Sequence, residues 1–174
     1  MSSIAPPSHT RRGGLTTDNW ITPRWLIERL GPFDLDPCAC EPQPWPTAKR
    51  MVTENEDGLL LQWSGFVWCN PPYGRLLGVW LERMSVHNNG IALVFARTDT
   101  RAFHSHVWPC ASALLFLRGR LTFCTPSGDP APLGHNSGGP SALIAFGSEA
   151  SLRLSRCPDL GAIAIPSQTS FSKS

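Results

Sequence analysis

"WCNPPYG", residues 68–74, follows the apolar run "GFVWC" at 65–69 and precedes a stretch of helical periodicity, so a strand should give way to a rigid turn and then a helix. Proline fixes its own φ and keeps the preceding residue out of the α region, so Pro71 and Pro72 hold the backbone extended. Pro71 lacks an N–H but keeps its carbonyl. A segment stiffened this way aims the Asn70 side-chain oxygen and the Pro71 carbonyl at one point, and two convergent acceptors suit an NH2 group. Tyr73, the only tyrosine, can then lie against a flat ring bearing that amine, a contact worth about 1–3 kcal/mol if the ring is a base. An arbitrary Pro-Pro pair reads more simply as a stiff turn with a core-facing tyrosine. The full four-residue string after an apolar strand favours the functional reading.

Elements on either side follow from their punctuation. "TPRWLIERLG" (22–31) predicts a helix with Thr22 as N-cap, Pro23 in the first turn and Gly31 as the stop. "FDLDPCAC" (33–40) predicts a short strand with Asp36 at its carboxyl end and Pro37 closing it. Residues 41–62 read as a proline-rich loop, a short strand and an Asp57-Gly58 turn. Leu77, Trp80, Leu81 and Met84 recur at helical spacing and read as core. "GIALVFA" (90–96) is continuously apolar, as in a parallel strand covered on both faces. A helix is expected over "TDTRAFHSHVW" (98–108), with Phe103 and Val107 on one face and His104 and His106 as surface or capping positions.

Three further apolar segments, "SALLFL" (112–117), "RLTFC" (120–124) and "SALIAFG" (141–147), read as strands, with 125–140 as a glycine- and proline-rich surface loop. Strands alternating with helices, then strands alone, predict an α/β fold whose sheet is mostly parallel with an antiparallel edge strand. One domain is expected over 17–165, between a flexible arm at 1–16 and a flexible tail at 166–174.

Composition narrows the function classes. The chain has 174 residues, 41% of them hydrophobic, with 17 prolines and 15 glycines, which suits a loop-rich globular protein. No run of about 18 apolar residues and no apolar leader is present, so a cytoplasmic protein without a membrane span is expected. Six cysteines at scattered spacings, mostly within apolar runs, suit reduced buried thiols, and Cys38-Ala39-Cys40 lacks the spacing and second pair of a zinc site, so no metal is expected. The net charge is +2, and the basic residues are arginine except Lys49 and Lys173. Arginine's planar fork suits phosphate and base edges, while a bias in genome composition gives the same pattern.

Ligands of an open parallel sheet bind beyond the carboxyl ends of its strands. Asp36, Asn70 and the Arg97-Thr98-Asp99 cluster all fall at such ends, with Asp57 in a turn between the first two. Singly, each reads equally as a cap or turn former.

The chain resembles the small phage and prophage DNA N6-adenine methyltransferases. Asn-Pro-Pro-Tyr after a strand is the signature of amino-group methyltransferases, and "DNWITP", "FDLDPCA", "DGLLLQW", "WCNPPYG", "ALVFARTDTRAFH", "FLRGRLTF" and "PSALIAF" occur in the family's order over about residues 18–147. The resemblance implies a Rossmann-like methyltransferase sheet of reduced size, S-adenosylmethionine as cofactor and double-stranded DNA as partner. Asn70, Pro71, Pro72 and Tyr73 would be catalytic. Trp20, Thr22 and Pro23 would lie beside the methionine part of the cofactor, with a helix N-terminus to receive its carboxylate. Asp36, Pro37, Cys38 and Ala39 take the place of the first cofactor motif, although its glycine-rich turn is absent, and Asp57 stands near the cofactor's adenine. Glu54 and Glu56 are candidates for the ribose. Arg97, Arg101, Arg118 and Arg120 are candidate DNA contacts, with solvated surface positions as the alternative. The competing functions are methylation of another planar amine or amide, such as an RNA base or a protein glutamine, and a non-catalytic DNA-binding relic of the fold.

Overall fold

The apolar run before the two prolines becomes β3 (Val67–Cys69), all three residues of which are buried. In the computed structural model, which describes residues 20–132 and 138–167 apart from the Glu54 side chain, β3 pairs in parallel with β1 (Leu35–Asp36) and β4 (Gly90–Phe95). The arm expected at 1–16 and most of the tail expected at 166–174 lie outside the described residues. β2 (Arg50–Met51) adds in parallel outside β1. Beyond β4 come β6 (Ser141–Phe146), β5 (Ala113–Leu117) and β7 (Gly161–Ala164), in one sheet of order β2-β1-β3-β4-β6-β5-β7. The β4–β6, β6–β5 and β5–β7 pairings are antiparallel. The expected antiparallel edge is present in β7, but β6 also runs backwards inside the sheet.

Alternation along the strands divides the core in two. Trp68, Ile91, Leu93 and Leu143 pack with Leu26 and Leu30 of α1 (Arg24–Leu30) and Leu154 of α3 (Ser148–Ser155). Val67, Cys69, Ala92, Val94 and Ile144 pack with Trp80, Leu81 and Met84 of α2 (Leu77–His87) and with Phe103 and Val107. Burial on both faces is what a continuously apolar β4 requires. Gly90 begins β4 because a Cβ there would lie 2.4 Å from the Val67 carbonyl oxygen.

Four expectations are corrected. The N-cap of α1 is Pro23, whose ψ of 137° is extended, and no side chain caps it. Thr22 is instead buried, and its carbonyl accepts the Trp45 indole N–H at 3.1 Å. The helix expected over 98–108 is present but shorter, over 101–107, and its Phe103–Val107 part is a π-helix. "RLTFC" is no strand of the sheet: Leu121 and Phe123 are buried, but its backbone bridges only at Cys124, to Ile21 and Pro130. The end of the chain holds more than strands, since α3 separates β6 from β7. Among the described residues no helix is long and apolar enough to cross a membrane.

Candidate active site

After β1 the chain moves outward to β2 and then returns to the opposite side of β1 as β3. The order reverses between β1 and β3, and in a parallel sheet such a reversal opens a crevice at the carboxyl ends. Asp36 and Pro37 lie at the end of β1, and Asn70 at the end of β3. Cys38 Sγ and Cys69 Sγ lie 3.6 Å apart across the gap, and all six cysteines are free.

The Asn70 amide has one committed end. Its Nδ2 donates to the Trp20 carbonyl at 3.1 Å, while its Oδ1 is buried with no partner. A carbonyl can only accept, so this bond fixes Nδ2 as the committed donor and leaves Oδ1 as the acceptor without a partner. Pro71 is buried, Pro72 is exposed, and Tyr73 stacks on Phe95 with ring centroids 4.2 Å apart and planes 14° apart. The Tyr73 hydroxyl is buried without a partner, and burial raises its pKa. Ser141, opposite Phe95 in the sheet, likewise has a buried, unpartnered hydroxyl. Buried polar atoms usually have partners; these three lie in one part of the sheet, while Gln43 Nε2 in the loop after β1 and Trp80 Nε1 and Arg83 Nε on α2 are also unpartnered.

Asp36 is buried and turns inward. Its Oδ1 accepts the Cys38 N–H at 3.1 Å, and its Oδ2 accepts the Thr47 hydroxyl. Burial pushes its carboxyl up to about 6, against the opposing pull of the Thr47 and Cys38 hydrogen bonds. The Ala39 N–H donates to the Val52 carbonyl at 2.9 Å, so the Pro37–Ala39 turn is pinned on both sides. Gly58 packs against this turn so closely that a Cβ would lie 1.8 Å from the Pro37 carbonyl oxygen. The glycine needed for close approach at the end of β1 therefore comes from the loop after β2. Asp57 beside it is exposed, takes a left-handed conformation with φ of 49°, and accepts the Leu59 N–H through Oδ1 at 3.2 Å. Trp20 is half-buried, its ring 6.1 Å from that of Phe123.

β5 runs parallel to β4, so the segments after both strands leave the sheet at the same edge as Asn70. Arg97, Arg101, Arg118 and Arg120 follow these strands and are all exposed. Arg97 lies 5.9 Å from the Phe95 ring, and a Cβ on Gly139 would lie 3.4 Å from that ring and 3.9 Å from Arg120 Nη1. A groove of about 900 Å³ runs past Tyr73, Arg75, Phe95, Arg97, Arg101 and His106. The edge thus joins flat apolar surface to cationic side chains, a combination that suits a nucleic acid.

Reading the sequence missed Thr47, Phe95 and Ser141. Phe95 could have been singled out as the aromatic that ends the β4 run, whereas Thr47 and Ser141 carry no local signal.

A model of the DNA N-6-adenine-methyltransferase (Dam) family matches residues 8–147. No match was found among curated proteins or among solved structures.

Proposed function

The chain belongs to the DNA N-6-adenine-methyltransferase family, and on that premise we propose that it transfers a methyl group from S-adenosylmethionine to N6 of an adenine turned out of duplex DNA, as an enzyme of the phage or prophage type. The observation that carries this reading is the Asn70 amide, held through Nδ2 by the Trp20 carbonyl and left with an unpartnered Oδ1 at the reversal of strand order.

Adenine N6 is a poor nucleophile because its lone pair is delocalised into the ring. Asn70 Oδ1 and the Pro71 carbonyl accept its two N–H bonds and favour a more tetrahedral nitrogen. They also stabilise the positive charge that grows there, and being held in advance they need little reorganisation. Tyr73 provides a flat surface for a base out of the stack. The nitrogen then gives up one proton to solvent.

The cofactor, when bound, would supply a methyl group activated by a positively charged sulfur, which keeps the electron pair of the broken sulfur–methyl bond and leaves as a neutral thioether. The residues at the crevice fit such a ligand: the pinned Pro37–Ala39 turn presents backbone at the end of β1, with Trp20, Thr22 and Pro23 as its methionine side and Asp57 as its adenine side. The arginines after β4 and β5 hold the DNA backbone.

The test is incubation with labelled S-adenosylmethionine and duplex DNA, followed by mass spectrometry of the nucleosides. Label in N6-methyladenine that is lost in Asn70→Ala and kept in His104→Ala supports the reading. Label on RNA or protein with none on DNA refutes it.

A further inference from the structure

Thr47 lies in the proline-rich loop between β1 and β2 and has no part in the reaction described so far. It is only 4% exposed, and its hydroxyl donates to Asp36, which is 3% exposed. The bond joins the loop to the end of β1. The other Asp36 oxygen closes the turn by accepting the Cys38 N–H, and the strand next door is tied to the same residue through Val52 N–H to the Asp36 carbonyl at 2.8 Å. The groups that face this carboxyl are the Thr47 hydroxyl and the thiols of Cys38 and Cys40, none of them cationic. No ion pair among the described residues includes Asp36.

A buried carboxylate without a cation is held in its charged form by whatever hydrogen bonds it has. Here Thr47 supplies the strongest, beside those of the Cys38 N–H and thiol. If that bond is removed, the carboxyl takes up a proton more readily, and a neutral acid is a weaker acceptor for the Cys38 N–H. The Pro37–Ala39 turn then loses the contact that shapes it from below.

We infer that Thr47 is a positioning residue for methyl transfer: through Asp36 it holds the Pro37–Ala39 turn in the shape that receives the cofactor. The inference rests on the reading that this turn receives S-adenosylmethionine. Thr47 touches neither reactant, so its loss weakens cofactor binding and leaves the chemical step intact once the site is filled.

The experiment measures S-adenosylmethionine affinity by calorimetry from about pH 5 to pH 8, with KM and kcat for methyl transfer alongside. In the wild type, affinity falls as pH drops through the Asp36 value of about 6. Thr47→Val moves that midpoint up by roughly one pH unit, since a hydrogen bond to a charged group is worth about that much. It also raises the cofactor KM while kcat at saturation stays within about twofold. Thr47→Ser restores the wild-type profile, and Asp36→Asn removes the pH dependence near the midpoint. A Thr47→Val midpoint equal to that of the wild type overturns the inference while leaving the proposed function standing. Should Thr47→Val fail to fold by circular dichroism, the wild type decides: a flat profile across the range overturns it. Wild-type protein that does not bind the cofactor at any pH overturns both readings.

Discussion

Asn70 donates through Nδ2 to the Trp20 carbonyl at 3.1 Å, which makes this half-buried residue of the segment leading into α1 the support for the amide at the end of β3. Asn70→Asp separates support from acceptance, because it keeps an oxygen at the crevice but cannot donate to Trp20. Two oxygens then face one another where a hydrogen bond stood. If orientation matters as much as the presence of an acceptor, Asn70→Asp falls by about 100-fold or more in methyl-transfer rate, as Asn70→Ala does. Single-turnover kinetics with labelled cofactor measure this, and near-normal activity of the aspartate variant refutes the supporting role of Trp20.

The Tyr73 ring lies flat on Phe95, while its hydroxyl is buried with no partner. Removing an unsatisfied hydroxyl while keeping the ring relieves a desolvation penalty of about 1 kcal/mol. Tyr73→Phe should therefore melt no lower than the wild type and keep methylating DNA. Tyr73→Ala removes the stacking surface, and its KM for DNA should rise by about 5- to 100-fold, corresponding to about 1–3 kcal/mol. Thermal melts and steady-state kinetics check the pair. A Tyr73→Phe variant that folds but is inactive would assign the hydroxyl a chemical role.

Legibility in the sequence followed how local each signal was. The β3 run, the two prolines and the α2 stripe could be read because apolar spacing and proline geometry act within a few residues. "RLTFC" misled because an apolar pattern reports burial, not pairing: Leu121 and Phe123 enter the core while the backbone makes isolated contacts with Ile21 and with Pro130 and Ala131 instead of joining the sheet. The last helix and strand were hidden for a different reason. α3 is eight residues long, and β7 leaves Ala162 and Ile163 exposed, so neither displays a long apolar face. At the site, Asp36 and Asn70 were visible as polar groups ending strands. The partners that orient them, Thr47 and the Trp20 carbonyl, are set by loops and carry no periodicity.

Gly58 connects the Asp57 loop to the turn after β1 through a contact that leaves no room for a side chain. The obstacle is the Pro37 backbone, which cannot move aside as the end of a flexible side chain can. Gly58→Ala should thus push the loop away from Pro37, at a cost typical of overpacking, about 1–3 kcal/mol. It should weaken S-adenosylmethionine binding by more than Asp57→Ala alone, since it displaces the turn as well as the acid. Urea denaturation and calorimetry test this, and a Gly58→Ala protein with unchanged stability contradicts the packing.

Asp36 makes a prediction in which stability and function move in opposite directions. Burial raises its pKa from 3.8 to about 6 in the folded protein. Between these values the folded state binds more protons than the unfolded state, so this group's contribution to stability falls as pH rises through that window. Above about pH 6 the charged, buried group costs on the order of 3 kcal/mol relative to its protonated form. Asp36→Asn mimics that form: its oxygen can accept the Cys38 N–H and its amide can donate to the Thr47 hydroxyl oxygen. The variant should therefore be more stable than the wild type at about pH 8, should lose the advantage near pH 4, and should bind S-adenosylmethionine more weakly at pH 8. Urea denaturation at both pH values, with calorimetry at the higher one, checks all three. A variant less stable than the wild type at pH 8 would mean that the carboxylate is held by more than the neutral donors around it.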